Sequence, residues 1–599
     1  MTPQDAVAYI ENYTWSTTRL GLERTRTLLA RLGDPQKQLK FIHVAGSNGK
    51  GSTCAMLDSV LRSAGYRTGL YTSPYILDFC ERIRINGENI LGEELARITD
   101  AVRPVADEME DHPSQFELVT AIAMQYFAEQ HCDIVVLEVG MGGALDSTNV
   151  IDCPEAAVIT NIGLEHTEYL GNTLEQIAQA KGGIIKPGCT TVCYDNVPEV
   201  MRTIEQICRE QNAQLRIARK DDLHSISYSL HGQVFTWRGM EYVLPLLGAH
   251  QLRNAGTVLE TVSILRKHGW SIPESAVIEG LRSVVWPARF EVLSRSPLFI
   301  LDGGHNPQCA HALARNLADY LPGQKCTFLI GVLGDKDYRQ MLELLYPFAE
   351  RFVCLTPLSP RALPAEELAE SIRADGYSAV ACDSPAVGIR TALEMGSPVL
   401  AFGSLYLAGH IRAAFPRQMK NWQKKCTLAR RDAISDVDRM EKSRRICSKI
   451  VKLDAYQNAH VVFLFRAFRT EVNLSAVAEQ ARRDGKLPVW PVCGEESNMQ
   501  AVIPDEGTPW IRDRYGIEIP EYFRPVDPEE IDLVLCPCSA FDRKGRRLGM
   551  GKGYYDHFLP ACKKAATVLI AFDAQELDEV FTDQYDQPMD AVVTETRVL

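Results

Sequence analysis

Lys50 stands between glycines in GSNGKGST, after the apolar run KFIHVA and before CAMLDSVLRSAG, which has a helical pattern. That order, strand then glycine turn then helix, is suited to holding phosphate. Gly46, Gly49 and Gly51 let the backbone turn tightly and approach an anion that a Cβ would keep away. Lys50 adds a mobile cation, and the following helix adds its dipole. The strict GxxxxGK[ST] spacing is not met, because Val44 takes the place of its first glycine and Gly51, not a hydroxyl residue, follows the lysine. A variant phosphate loop is therefore expected. A plain glycine turn is the alternative, and it leaves Lys50 without a purpose.

A second glycine turn lies far downstream in KGRRLGMGKGYYDHFLP. Gly549, Gly551 and Gly553 form GxGxG beside Arg546, Arg547 and Lys552, a pattern that can cradle an anion or be wholly structural. It is not the dinucleotide fingerprint GxGxxG. Lys420 and Lys424 are one helical turn apart, placed to clamp phosphates or to form a solvated basic face. Glu138 ends the apolar run DIVVL, where a carboxylate is costly unless it is paired or metal-bound. His166 alone reads as an ordinary loop histidine.

The elements that must carry these residues follow one rhythm. KFIHVAG, CDIVVLEVG, EAAVITNIG and CTTVCY alternate with helical stretches up to about residue 290, as parallel sheets covered by helices do. A second, smaller series holds PLFILDGGHNP, CTFLIGVLG, RFVCLTPL and SPVLAFGSL. A basic helical stretch begins near 417, and a third series follows with HVVFLFRAF, GKLPVWPV, IDLVLCPCSAF and ATVLIAF. The expectation is an α/β protein of three domains at 1–290, 291–416 and 417–599, with the third joined at 416–420 by no long flexible linker.

Bulk properties exclude several classes. The chain has 599 residues, 46% hydrophobic and 24% charged, as soluble globular proteins do. A formal charge of −13 opposes a nucleic-acid surface, which needs concentrated Lys and Arg. No run approaches the roughly 18–20 apolar residues of a membrane span. The opening MTPQDAVAYIENYTW lacks the basic and apolar regions of a signal peptide, so a cytoplasmic protein with no membrane partner is expected. The 17 cysteines include no CxxC pair, and Cys536 and Cys538 are too close in sequence to build a zinc site by themselves, so reduced and mostly buried thiols are expected.

Up to about residue 415 the chain resembles the Mur ligase superfamily, and within it folylpolyglutamate synthase and dihydrofolate synthase. The resemblance is carried by GSNGKGST, LYTSPYILDFCERIRING, QFELVTAIAM, VVLEVGMGGALDSTN, NIGLEHTEYLGNTLEQIAQAKGGIIK, LGAHQLRNA, WPARFEV, LDGGHNP, GVLGDKD and GSLYLAGHIR. It implies a P-loop domain followed by a smaller Rossmann-like ligase domain. It also implies ATP, Mg2+ and an acyl phosphate, which the amino group of L-glutamate attacks to extend tetrahydrofolate or to convert dihydropteroate to dihydrofolate. Gly46, Asn48, Gly49, Lys50, Gly51 and Ser52 would bind ATP, with Gln251, Asn254, Arg289, Asp302 and His305 reaching it from later segments. Ser73, Glu138 and His166 would hold the metal, and Lys181 matches a lysine that the family carbamylates. Phe116, Glu117, Thr120, Leu145, Asp146 and Ser147 would face the pterin. Ala144 replaces the family's usual Arg, which bears on contacts to folate or glutamate.

Residues 418–599 resemble 5-formyltetrahydrofolate cyclo-ligase (methenyltetrahydrofolate synthetase), through KNWQKKCTLARRDAIS, FRTEVNL, DLVLCPCSAFD and RLGMGKGYYD. The resemblance implies ATP held by Lys420, Lys424, Arg547, Gly549, Gly551, Lys552, Gly553, Tyr554, Tyr555 and Asp556, with Glu471 on 5-formyltetrahydrofolate. Two departures are YGIEIPE in place of GI-x-EP and Cys538 in place of a Gly. The expected protein is a monomeric bifunctional folate enzyme. The alternatives are a ligase with a catalytically degenerate folate-binding appendage and a peptidoglycan-type Mur ligase.

Overall fold

The strands expected from the apolar runs each become a central strand of a sheet. The computed structural model describes residues 1–12, 21–396, 398–494, 498–583 and 586–599. It divides into two compact units, Met1–Ala413 and Ala414–Leu599.

The first unit is built on an eight-stranded sheet. Its order is Glu88–Asn89, Ile83–Ile85, Thr68–Tyr71, Ile134–Glu138, Phe41–Ala45, Ala156–Ile159, Thr190–Tyr194 and Gln214–Ala218. All pairs from Thr68–Tyr71 onward are parallel, and the short strand Ile83–Ile85 turns back antiparallel at one edge. Phe41–Ala45 and Ile134–Glu138 are buried along their whole lengths, which is why they read as unbroken apolar runs. Glycine-loop residues and Glu138 thereby meet at one end of the sheet, the carboxyl ends of neighbouring parallel strands.

A three-stranded antiparallel sheet, Leu223–Ser229, Gly232–Trp237 and Met240–Leu244, departs from the expected alternation. Its signals are in the sequence as the tight turns Leu230–His231 and Arg238–Gly239 between polar-apolar runs. The smaller six-stranded sheet of this unit has the order Glu291–Arg295, Leu298–Leu301, Val399–Phe402, Cys326–Ile330, Ala349–Cys354 and Ala379–Ala381, parallel except for its first strand.

The second unit holds a seven-stranded sheet. Val461–Phe463, Leu533–Pro537, Ala566–Ile570 and Ala591–Val593 run parallel, with Leu487–Cys493 on the other side of Val461–Phe463 and two antiparallel strands beyond it. The basic stretch divides into the helices Leu405–Asp432, which includes the unit boundary, and Asp436–Ile450. No helix among the described residues is long and apolar enough to cross a membrane.

The glycine-loop helix Lys50–Ser63 is set by a close backbone approach. A Cβ on Gly280, in the helix Glu274–Ser283, would lie 2.5 Å from the Cα of Val60. The Ser59 hydroxyl donates to the Gly280 carbonyl at 2.7 Å. Gly280→Ala should therefore force the helices apart and cost about 1–3 kcal/mol, read as a lowered thermal midpoint of the full chain. An unchanged midpoint would show that the helix pair has slack.

Candidate active sites

The first glycine loop is built without room for side chains. Gly46 has φ +155° and Gly49 +89°, and a Cβ on Gly46 would fall 1.8 Å from the Thr160 hydroxyl. A Cβ on Gly51 would meet the Trp286 ring at 2.8 Å. Lys50 begins the helix and folds back, its Nζ donating to the Gly46 carbonyl at 2.8 Å and toward that of Ser47 at 3.4 Å. Ser52 is buried and accepts from the Gln251 amide at 3.2 Å, and Gln251 in turn accepts from Asn254 at 3.0 Å. Asn48 donates to Gln308 at 2.6 Å. The expected residues of the helix Ala249–Lys267 thus reach the loop, and Gln308 joins them from the helix Pro307–Tyr320.

The neighbouring strand ends add charge. The Glu138 carboxylate accepts from the Ser73 backbone N–H at 3.1 Å, and burial pushes it up to about 7 against the opposing pull of Lys50. His166 sits at φ +47° on the loop after Ala156–Ile159, and burial pushes its imidazole down. Lys181 is buried and donates both to Glu165 at 2.7 Å and to the Gly46 carbonyl at 2.9 Å. Burial pushes this amine down to about 8. Burial also pushes Glu165 up, but Lys50 and Lys181 more than reverse that, so it remains charged. Sequence reasoning passed over Glu165 beside His166, because one titratable neighbour cannot be ranked over another without knowing which turns inward.

From the smaller sheet, Asp302 is fully engaged by backbone donors, Phe290 N at 2.7 Å and Gly304 N at 2.6 Å. Arg289 hydrogen-bonds the Ala288 carbonyl at 3.1 Å and its charge acts on Glu138. His305 donates from Nδ1 to the Gly303 carbonyl at 3.1 Å, and burial pushes its imidazole down.

The expected pterin residues separate into two kinds. Phe116 packs edge-close to Gly140, and Leu145 is half exposed. Glu117, Thr120 and Asp146 are instead tied into the scaffold. Glu117 accepts from Ser114 N at 2.6 Å and Arg24 at 2.9 Å, and Thr120 bridges the Phe116 carbonyl and the Tyr71 hydroxyl. Asp146 accepts from Met141 N and from both donors of Thr148, and Ser147 is buried beside it. Ala144 lies against Gly183, where a Cβ would come within 2.3 Å of the Ala144 methyl.

In the second unit, Gly551 has φ +103° and Gly553 +69°, and the latter caps the short helix Tyr554–Phe558. Lys424 reaches the loop, with its Nζ 3.1 Å from where a Gly551 Cβ would stand. Arg547 is buried and donates to Asp556 at 2.7 Å, while its Nε lacks a hydrogen-bond partner. Tyr554 donates to the Gly494 carbonyl at 3.0 Å, and Tyr555 packs edge-on to Phe463. Lys552 is exposed and Gly549 lies 3.5 Å, as Cβ, from Arg547. Lys420, expected beside Lys424, instead pairs with Asp583 at 2.7 Å and Asp586 at 2.5 Å. Arg546 pairs with Asp542 at 2.7 Å. Glu471 is largely but not wholly enclosed, with 9% of its side chain exposed, and burial pushes its carboxyl up to about 7.

A parallel sheet with a glycine-lysine loop at its carboxyl end, followed by a second α/β sheet that sends Arg289 to it, defines a Mur-type ATP-dependent ligase. Residues 44–262 match the Mur ligase middle domain and residues 288–405 the Mur ligase, glutamate ligase domain. Within that class the chain belongs to the folylpolyglutamate synthase and dihydrofolate synthase family, and its residues 417–595 form a domain of the 5-formyltetrahydrofolate cyclo-ligase family. It is 34% identical to folylpolyglutamate synthase of Lacticaseibacillus casei over 424 residues, covering 68% of this chain and 97% of the relative. It is 34% identical to dihydrofolate synthase/folylpolyglutamate synthase of Bacillus subtilis, covering 68% and 98%. The solved E. coli FolC in complex with DHPP and ADP superimposes with a TM-score of 0.62 at 31% identity, covering 70% of this chain and 98% of that one.

Burial of Glu138 has a measurable consequence. Its carboxyl is raised in the folded chain from an ordinary value near 4.5 to about 7. The folded state therefore binds the extra proton between those values, and that contribution is complete below about 4.5 and lost as pH rises through about 7. In metal-free protein, Glu138→Gln should match wild type near pH 5 and be more stable above pH 7, by up to about 3 kcal/mol. Thermal midpoints measured in chelator across pH 5–8 check this, and a constant offset would remove the linkage.

Proposed function

We propose that the protein is a bifunctional folate enzyme, with domains at 1–290, 291–416 and 417–599. The first two add L-glutamate to tetrahydrofolate, and to dihydropteroate where that is offered, through an acyl phosphate. The third converts 5-formyltetrahydrofolate to 5,10-methenyltetrahydrofolate with ATP. The observation that carries the reading is the pair of separate glycine loops, each with a lysine laid against it, Lys50 on the first and Lys424 on the second.

In the ligase half, Gly46, Asn48, Gly49, Gly51 and Ser52 form a loop whose glycines leave no room for added side chains, and the first N–H groups of the helix Lys50–Ser63 meet the phosphates of ATP. Lys50, now resting on a carbonyl, swings to the transferring phosphoryl group. A buried carboxyl displaced to about 7 beside a serine suits a divalent cation, so the residues fit magnesium held by Ser73, Glu138 and a neutral His166. Bound there, magnesium would neutralise phosphate charge. Lys181 titrates low enough to present a free amine, which carbamylation requires. Arg289, Asp302, His305, Gln251 and Asn254 complete the nucleotide side. Phe116 and the exposed Leu145 offer apolar surface to a pterin, while Glu117, Thr120, Asp146 and Ser147 hold the walls.

In the cyclo-ligase half, Arg547 braced by Asp556 and Lys424 over Gly551 meet the phosphates, with Gly549, Gly553, Lys552, Tyr554 and Tyr555 around them. Glu471 faces the folate. A degenerate appendage that only binds folate is the second reading, and one observation favours it: Lys420 is spent on Asp583 and Asp586.

Absorbance in the methenyltetrahydrofolate band, with protein added to 5-formyltetrahydrofolate with and without Mg-ATP, separates the two. An ATP-dependent rise supports cyclisation, and a flat trace with glutamate ligation intact supports the appendage. Lys50→Ala should lower glutamate addition by at least about a hundredfold and leave cyclisation unchanged. Asp556→Ala should do the reverse. Loss of both activities in either variant would contradict two independent sites.

A further inference from the structure

The second unit buries a guanidinium that none of these assignments uses. Arg431, in the helix Leu405–Asp432, is 2% exposed and one of the largest fully buried side chains of the chain. Its Nε donates to the Thr470 hydroxyl at 3.0 Å. The Thr470 hydroxyl is itself fixed by donation to Asp432. Its Nη1 has no hydrogen-bond partner and stands 3.9 Å from Glu471 Oε1. The other carboxylate oxygen, Oε2, accepts from the Phe468 backbone N–H at 3.0 Å.

A buried guanidinium is expensive, and leaving one of its donors open adds to that cost. Such an arrangement persists where the open donor has a task. Here that donor and the free oxygen of Glu471 face each other across a gap longer than a hydrogen bond. The remaining groups around Glu471 cannot replace the charge. Burial pushes Cys536 up to about 12 and also raises Cys538 and Tyr555, so all three stay neutral near pH 7. Arg547, which acts on the same thiols, is committed to Asp556 at 2.7 Å.

We propose that Arg431 is a positioning residue of the cyclo-ligase half: anchored by Thr470, it favours the carboxylate form of Glu471 and holds its Oε1 free for an N–H donor of the substrate. The substrate role of Glu471 rests on the reading of that half given above. The electrostatic role of Arg431 does not. Because burial opposes ionisation of Glu471 and Arg431 favours it, losing the guanidinium must move the titration of Glu471 to higher pH.

The test is the carboxyl infrared band of Glu471 in the full chain, isolated as the difference from Glu471→Gln and titrated from pH 5 to 9. Arg431→Met should raise the midpoint by about one pH unit or more, a tenfold change in proton affinity. Thr470→Val, which only loosens the anchor, should raise it by less, and Arg431→Lys should bring it back toward wild type. The acid limb of kcat/KM for cyclisation should move with the band. A midpoint that stays in place in Arg431→Met and Thr470→Val overturns the proposal, whatever happens to the rate. Should Arg431→Met fail to fold, as judged by circular dichroism, Thr470→Val decides alone. A midpoint that moves in a chain without ATP-dependent cyclisation upholds the role of Arg431 and removes the cyclo-ligase reading instead.

Discussion

Two lysine ammonium groups converge on one carbonyl oxygen, that of Gly46. Lys50 reaches it at 2.8 Å from the loop itself and Lys181 at 2.9 Å from the helix Leu174–Gly182. Like charges so placed repel, and the arrangement holds because Glu165 lies 2.7 Å from Lys181 and because burial weakens the Lys181 charge. The geometry is that of a site assembled around negative charge. A polyphosphate would satisfy the concentration of cations that one carbonyl and one carboxylate now satisfy in part.

The sheet makes this concentration achievable. Parallel strands deliver their carboxyl ends to one end of the sheet, so Gly46 follows Ala45, Glu138 closes the strand on one side of Phe41–Ala45, and His166 follows the strand on its other side. Each polar group emerges where the apolar run stops. The second unit repeats the principle with different residues. Cys536 and Cys538 end the strand Leu533–Pro537 and its continuation, and the buried Arg431 and Arg547 gather near them with the partly buried Glu471. In both units the charged residues are costly to bury singly and are paired or aimed at a gap.

Much of this was legible in the sequence because apolar runs and glycine spacing are local. The strands Phe41–Ala45, Ile134–Glu138, Cys326–Ile330 and Leu533–Pro537 each fall within a run read as a strand, and both glycine loops open helices as their spacing implies. What could not be read was which partner each charge finds. Lys420 and Lys424 share a helix face, yet one turns to Asp583 and Asp586, more than 160 residues away, and the other to Gly551. Glu117 looks like a ligand-facing carboxylate and proves to be held by a helix cap and by Arg24. Arg431 read as one more cation of a basic stretch, because its burial depends on the chain returning at Thr470. The antiparallel sheet at 223–244 was missed because the rhythm of the preceding strands masked its turns.

The glycines of the first site carry a further implication for how such a sequence can drift. Gly46 is filled by Thr160, Gly49 by Asn254, Gly51 by Trp286 and Gly163 by Gln308, each partner coming from a segment remote in the chain. At Gly51 and Gly163 a methyl group needs its partner to shift or shrink, whereas at Gly46 and Gly49 the positive φ opposes a side chain even when the partner gives way. The site therefore constrains its sequence in two ways: Gly51 and Gly163 are coupled to the sizes of Trp286 and Gln308, while Gly46 and Gly49 are fixed by their own backbone.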